Sequence, residues 1–117
     1  MSVQACMLPD GKRLHLQHGP IDLVIEANGE ASQVSSAYRA AHDRFSTVLD
    51  VLVQELPALR KLMVKENRDF AGPVAKRMAS AVHPYWQHKV TPMAAVAGSV
   101  ADEVLAVMVS GARLTRA

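Results

Sequence analysis

This 117-residue sequence has little cysteine and few aromatic side chains. Its single cysteine, Cys6, excludes an internal disulfide, so we expect a reducing, cytoplasmic setting. Aromatic residues make up 4% of the chain and hydrophobic residues 50%, so the apolar mass consists of Ala, Val, Leu and Met. This composition is typical of closely packed helices and argues against a β-sandwich.

The chain also has no strong excess of charge of either sign. Thirteen Lys and Arg oppose eleven Asp and Glu, and the basic residues are scattered, which argues against a nucleic-acid partner. The longest apolar stretch, residues 90–109, carries Asp102 and Glu103 near its middle, where a membrane-spanning helix disfavours charge. We therefore predict a soluble protein with neither nucleic acid nor membrane as partner.

Motifs for nucleophilic catalysis and nucleotide binding are missing from the sequence. It contains no G-x-S-x-G, no P-loop and no G-x-G-x-x-G pattern. Its histidines have no recognised metal-ligand spacing, and we interpret them as surface or hydrogen-bonding residues. They are His15, His18, His42, His83 and His88.

Hydrophobic periodicity predicts an α+β fold. Residues 12–17 and 21–26 alternate with period two around His18-Gly19-Pro20, which predicts an antiparallel hairpin. Residues 32–56 then change to helical spacing, and Pro57 ends this helix or allows a short restart. Polar residues 64–71 predict a loop.

Two further helices follow. Gly72-Pro73 begins the first, which stops at His83-Pro84, and Thr91-Pro92 begins the second, which ends near Gly111. Residues 85–90 form a linker between them. Because a two-stranded sheet is marginal alone, residues 112–117 are interpreted as the start of a third strand that is cut short. We expect one α+β unit over residues 1–117, with about three helices covering the strands and an incomplete core.

The last predicted helix holds the most informative residues. Gly98, Asp102 and Glu103 interrupt a run of Ala, Val and Met, although a helical glycine costs about 1 kcal/mol relative to alanine. One interpretation is tight packing of the helix on a sheet, with both carboxylates in water. The other is that Gly98 admits a ligand or another backbone closely and Asp102 fixes a polar group beside it.

The start of the preceding helix suggests a secondary anion site. Gly72 leaves backbone N–H groups at the helix start, and Lys76 and Arg77 follow within about a turn, which suits a phosphate. The alternative is an ordinary helix start with exposed basic residues.

Three segments together resemble a known family. They are LPDGKRLHLQHGPIDLVIEANG, GPVAKRMASAV and VTPMAAVAGSVADEVLAVM, and they resemble the N-terminal half of an uncharacterised family in the ApbE superfamily. The resemblance implies an α+β fold, FAD as ligand, magnesium as metal and FMN transfer as activity. It also implies that a downstream Gly-Gly-Asp motif is missing, so that this chain is the N-terminal portion of a longer domain.

The resemblance divides the residues of the last predicted helix. Gly98 and Asp102 match a glycine and an aspartate of the transferases, but Ala97 replaces their lysine, which puts transferase activity in doubt. Glu103 is then expected to face solvent. The implied flavin-binding wall is lined by Thr91, Ala95, Gly98, Ser99 and Asp102, and no residue is assigned to a metal.

A second hypothesis of another class remains open. An incomplete core would expose apolar surface, and such surfaces mark interfaces between chains. The chain would then be a non-enzymatic α+β module that forms oligomers or docks a partner chain through exposed Ala, Val and Met.

Overall fold

The computed structural model describes residues 2–117. These residues divide into two compact units, which are described separately. The first comprises residues 2–49 together with Val104–Ala117, and the second comprises Asp50–Glu103. The expectation of one unit over the whole chain stays a prediction.

The first unit holds a three-stranded antiparallel sheet in the order β1-β2-β3. Strand β2 (Leu14–His18) and strand β3 (Ile21–Ile25) form the predicted hairpin. His18 pairs with Ile21, so Gly19 and Pro20 form the turn, and the φ of Gly19 is 56°. Such a positive φ is easily adopted only by glycine, which explains this residue at the turn.

The third strand is not where the sequence predicted it. Strand β1 (Gln4–Met7) pairs with β2, whereas residues 112–117 contribute one isolated bridge, between Asn28 and Arg116. All four side chains of β1 are exposed, so the strand carries no alternation of buried and exposed residues. The prediction of a strand in residues 112–117 was therefore wrong, while the need for a third strand was correct.

Helix α1 (Ala31–Gln54) follows the predicted periodicity closely. Its buried residues recur every three or four positions, which is the spacing of one helical face. They are Ala37, Ala41, Phe45, Val48 and Leu52. A short helix α2 (Leu56–Leu59) follows, with Pro57 in its first turn, which confirms the predicted restart.

The second unit is built around helix α3 (Pro73–Val82). The sequence spacing predicts an apolar stripe of Val74, Met78, Ala81 and Val82; the helix buries Val74, Met78 and Val82, but Ala81 is exposed. Part of the predicted linker, residues 85–88, instead belongs to a 3₁₀ segment, His83–His88. A second 3₁₀ segment, Pro92–Ala95, packs against α3.

Helix α4 (Val96–Gly111) continues from the second 3₁₀ segment. The Thr91 hydroxyl accepts a hydrogen bond from the backbone N–H of Met93 at 3.2 Å, so the predicted helix start is confirmed as an N-cap. The sheet and helices make this an α+β protein, as the sequence predicted.

Candidate functional site

The predicted flavin-binding wall lies along the start of α4, but its residues do not share one face. Gly98 and Asp102 are exposed, Thr91 and Ala95 are partly exposed, and Ser99 is buried. Ser99 therefore points away from the surface that carries Gly98 and Asp102. The role of these five residues as a binding wall stays a prediction.

The packing explanation for Gly98 was wrong. A Cβ added at Gly98 would meet no atom within 4 Å outside its own helix and its chain neighbours. The described chain therefore places nothing against this glycine that alanine would disturb. A glycine destabilises a helix interior by about 1 kcal/mol relative to alanine. Packing within the described chain does not explain why Gly98 is present at this cost.

The expectation that Glu103 faces solvent was wrong. Asp102 is exposed, but Glu103 is only 6% exposed and was expected in solvent. Arg77 of α3 donates from Nε to Glu103 Oε1 at 3.0 Å. A buried carboxylate requires such a partner, so Glu103 has a structural role inside the second unit.

The predicted anion site at the start of α3 is partly filled by the chain itself. Glu55 Oε1 accepts hydrogen bonds from the backbone N–H groups of Ala71 and Gly72, at 2.9 and 2.8 Å. Arg77 is engaged with Glu103. An anion at Gly72 would therefore compete with an internal carboxylate already placed at the helix start.

Gly72 is required by close packing rather than by an anion. Its φ of −73° is open to any residue, but a Cβ at this position would lie 2.8 Å from Val51 Cγ1. Side chains do not tolerate such an approach without a shift of the neighbouring chain.

Lys76, the third residue of the predicted anion site, lies beside a cleft instead. The cleft has a volume of about 220 Å³ and lies between the exposed side of α3 and residues 67–70. Lys76 and Ser80 line it from α3, one turn apart, and Asn67, Arg68 and Asp69 line it from the loop. Polar groups of several kinds therefore converge on this part of the second unit.

Arg68 is fixed firmly in the wall of this cleft. Its Nη1 donates to Leu62 O at 3.1 Å, and its Nη2 donates to Ala58 O at 3.0 Å and Lys61 O at 3.2 Å. The guanidinium lies 5.9 Å from the ring centroid of Phe70. These contacts hold Arg68 against the end of α2 and the residues that follow it.

Within residues 2–117, no group of three or more His, Cys, Asp or Glu side chains is arranged to hold a metal ion. Such side chains do meet in pairs. His15 Nε2 lies 2.7 Å from Asp22 Oδ1 across β2 and β3. His15 is thus a hydrogen-bonding histidine.

Helix α4 has an unusually apolar exposed surface. The segment Pro92–Gly111 is long and apolar enough to cross a membrane by length and composition alone, and 28% of its most apolar 18-residue window is buried. Leu105 is 40% exposed and Val109 is 56% exposed, one turn further along the same side. Gly98 is exposed towards the other end of that side, and Ala97 is exposed next to it around the helix.

Residues 5–117 match the sequence model of the protein family described as "AbpE bacteria". The chain belongs to this family. No curated protein and no solved structure matches it.

The AbpE family match overturns the resemblance to the ApbE superfamily. The matching family carries a different name, and nothing in the comparisons connects the chain with the ApbE transferases. The correspondence of Gly98 and Asp102 with transferase residues, and the significance of Ala97 in place of lysine, therefore lose their basis.

Sequence reasoning missed the polar residues of the second unit. Glu55 and Glu103 each bind a group that is far away in sequence, 16 to 26 positions along the chain. Arg68 lies in a segment that showed no periodicity. The only available signal was that Glu55 and Glu103 are carboxylates next to apolar helical residues, where a partner is needed.

Proposed function

We propose that this AbpE family member is a binding module that forms a two-fold homodimer through the exposed side of α4. The self-association surface consists of Ala97, Gly98, Leu105 and Val109. The single observation that carries the proposal is that the apolar window of this helix is only 28% buried. Exposed apolar area of this kind favours association with another surface.

Three of the four residues lie on one side of the helix, because Gly98, Leu105 and Val109 are spaced by seven and four positions. Ala97 is about 100° around the helix from Gly98 and borders this side, and the exposed Asp102 borders it at the opposite edge. The side chains at one end of this surface are small, and those at the other end are large. Gly98 also has no neighbour within 4 Å of an added Cβ, which leaves room for a second backbone.

A second copy of the chain fits this gradient of side-chain size. If two copies of α4 pair in antiparallel fashion, Val109 of each copy lies against Gly98 of the other. Large side chains then fill the space above small ones at both ends, which is the self-complementarity that a two-fold contact requires. A parallel pair would instead place small residues against small ones and leave gaps.

Light scattering and sedimentation of the full chain over a range of concentrations test the dimer. We expect the dimer mass for the wild type and a monomer for Leu105→Glu. Val53→Glu is the matched control, because Val53 is 53% exposed on α1 and lies outside the surface. A monomeric wild type at all concentrations would overturn the proposal, and so would binding of α4 to lipid vesicles in place of self-association.

Disulfide cross-linking tests the antiparallel arrangement. In a Cys6→Ser background, we expect the Gly98→Cys/Val109→Cys double variant to form covalent dimers under mild oxidation. The single variants should form few, because each cysteine would face a residue other than itself. Efficient cross-linking of Gly98→Cys alone would contradict the antiparallel pair.

Flavin binding, magnesium binding and binding of a small anionic ligand at α4 remain separate predictions. The flavin and magnesium predictions drew on the ApbE resemblance, which the family match removes. Flavin absorbance and a thermal shift with added FAD and magnesium test them directly. The cytoplasmic setting and the absence of nucleic-acid or membrane partners likewise remain expectations.

A further inference from the structure

The cleft beside α3 has the features of a built polar site, separate from the self-association surface. Its floor is apolar, since Phe70 and Ala79 are 7% and 3% exposed. Its polar rim comes from Lys76 and Ser80 on one side and Asn67, Arg68 and Asp69 on the other. A polar rim over an apolar floor is typical of small-ligand sites.

The charge of Arg68 is not neutralised by any carboxylate. Within residues 2–117 its partners are three backbone carbonyls, and no Asp or Glu oxygen lies within 4 Å of its nitrogens. Its Nε is shielded from water and has no hydrogen-bond partner among those residues. Arg68 is thus a fixed positive charge in the cleft wall, and its effect on a ligand is electrostatic.

Lys76 provides a second, mobile cation. It is exposed and forms no ion pair or hydrogen bond through its side chain within the described residues, in contrast to the neighbouring Arg77. Ser80 lies one turn beyond Lys76, and its hydroxyl likewise has no internal partner in that range. The two groups can therefore turn towards a common ligand from the same side of α3.

Asp69 sets the charge balance of the cleft. Two cations and one carboxylate line it, and none of the three is within 4 Å of an opposite charge in residues 2–117. The excess is therefore one positive charge. An anion is attracted by Arg68 and Lys76 and repelled by Asp69, so binding should be moderate and sensitive to salt.

We propose that this cleft binds a phosphate group. The Lys76 ammonium and the Ser80 hydroxyl supply donors from α3, the Asn67 amide supplies them from the facing loop, and Arg68 adds a fixed positive charge to the cleft wall. A tetrahedral oxyanion accepts hydrogen bonds on several sides, whereas a carboxylate accepts them in one plane. The site is displaced along α3 from the helix start that the sequence suggested, because Glu55 occupies that start.

Titration of the full chain with inorganic phosphate, followed by calorimetry and amide chemical shifts, tests this proposal. We expect saturable binding, with shifts concentrated in residues 67–80. Lys76→Gln should weaken binding about tenfold, the size of one lost charge-assisted contact. Asp69→Asn should strengthen it, and acetate should bind more weakly than phosphate.

Lys12→Gln is the matched control, because it removes one exposed lysine charge in the other compact unit. Its phosphate affinity should equal that of the wild type. Absence of saturable binding by the wild type would overturn the proposal, and so would equal affinity in Lys76→Gln and Lys12→Gln. Because Lys76 is exposed, unchanged thermal melting of Lys76→Gln should show that its fold is intact.

Discussion

Arg77 on α3 holds the buried carboxylate of Glu103 on α4 through a hydrogen bond of 3.0 Å from Nε to Oε1. The Glu103 side chain is 8% exposed and that of Arg77 is 41% exposed. The partly exposed guanidinium thus covers the carboxylate and compensates for the water that it loses.

Arg77→Ala should destabilise the protein by about 1–3 kcal/mol, because the buried carboxylate of Glu103 loses a charged donor. Urea unfolding measures this change. Lys76→Ala on the same helix is the control, since Lys76 has no internal partner within residues 2–117, and its effect should stay within about 0.5 kcal/mol. Equal stability of the two variants would show that the ion pair contributes nothing.

Glu55→Ala should destabilise the start of α3 by about 1–3 kcal/mol, because the N–H groups of Ala71 and Gly72 lose their shared acceptor. Glu55→Gln keeps a side-chain oxygen and should lose less than Glu55→Ala. Hydrogen exchange at the two amides, together with urea unfolding, checks both variants. Faster exchange at Ala71 and Gly72 in Glu55→Ala, but not in Glu55→Gln, is the expected pattern.

Gly72 at the start of α3 and Gly98 inside α4 should respond in opposite ways to replacement by alanine. Gly72→Ala should destabilise by about 1–3 kcal/mol, since its Cβ would lie 2.8 Å from Val51. Gly98→Ala should stabilise the monomer by about 1 kcal/mol, because nothing lies within 4 Å of that position. Urea unfolding at low protein concentration compares them, and destabilisation by Gly98→Ala would mean that the glycine is needed within the chain.

Strands and helices that bury one side and expose the other could be predicted from the sequence. A strand that is exposed on both sides could not. The alternation in β2 is visible because Leu14, Leu16 and His18 are buried while the residues between them are partly exposed. Strand β1 lacks such contrast because it is exposed throughout, so only its backbone pairing defines it. Hydrogen bonds between distant backbone groups leave no trace in local composition.

The candidate site shows the same limit for side chains. Asp102 and Glu103 are adjacent and chemically alike, yet one is exposed and the other is buried. Which of the two is buried cannot be predicted from neighbouring residues, because Arg77, the partner of Glu103, lies 26 positions earlier. Small-residue patterns in α4 were visible in the sequence, but the family that they suggested was wrong.

Asp10 should titrate with a pKa of about 2, well below its ordinary value of 3.8. The main cause is the backbone N–H of Lys12, which donates to Asp10 Oδ1 at 2.9 Å, followed by the Arg13 side chain at 2.7 Å. Because the folded-state pKa is lowered, the ionised carboxylate stabilises the folded chain above pH 3.8, and this stabilisation is lost as the pH falls towards 2. Carboxyl chemical shifts measured against pH check the value. Arg13→Met should raise the pKa only part of the way to 3.8, because the larger backbone contribution of Lys12 remains, and a complete return to 3.8 would contradict that order of causes.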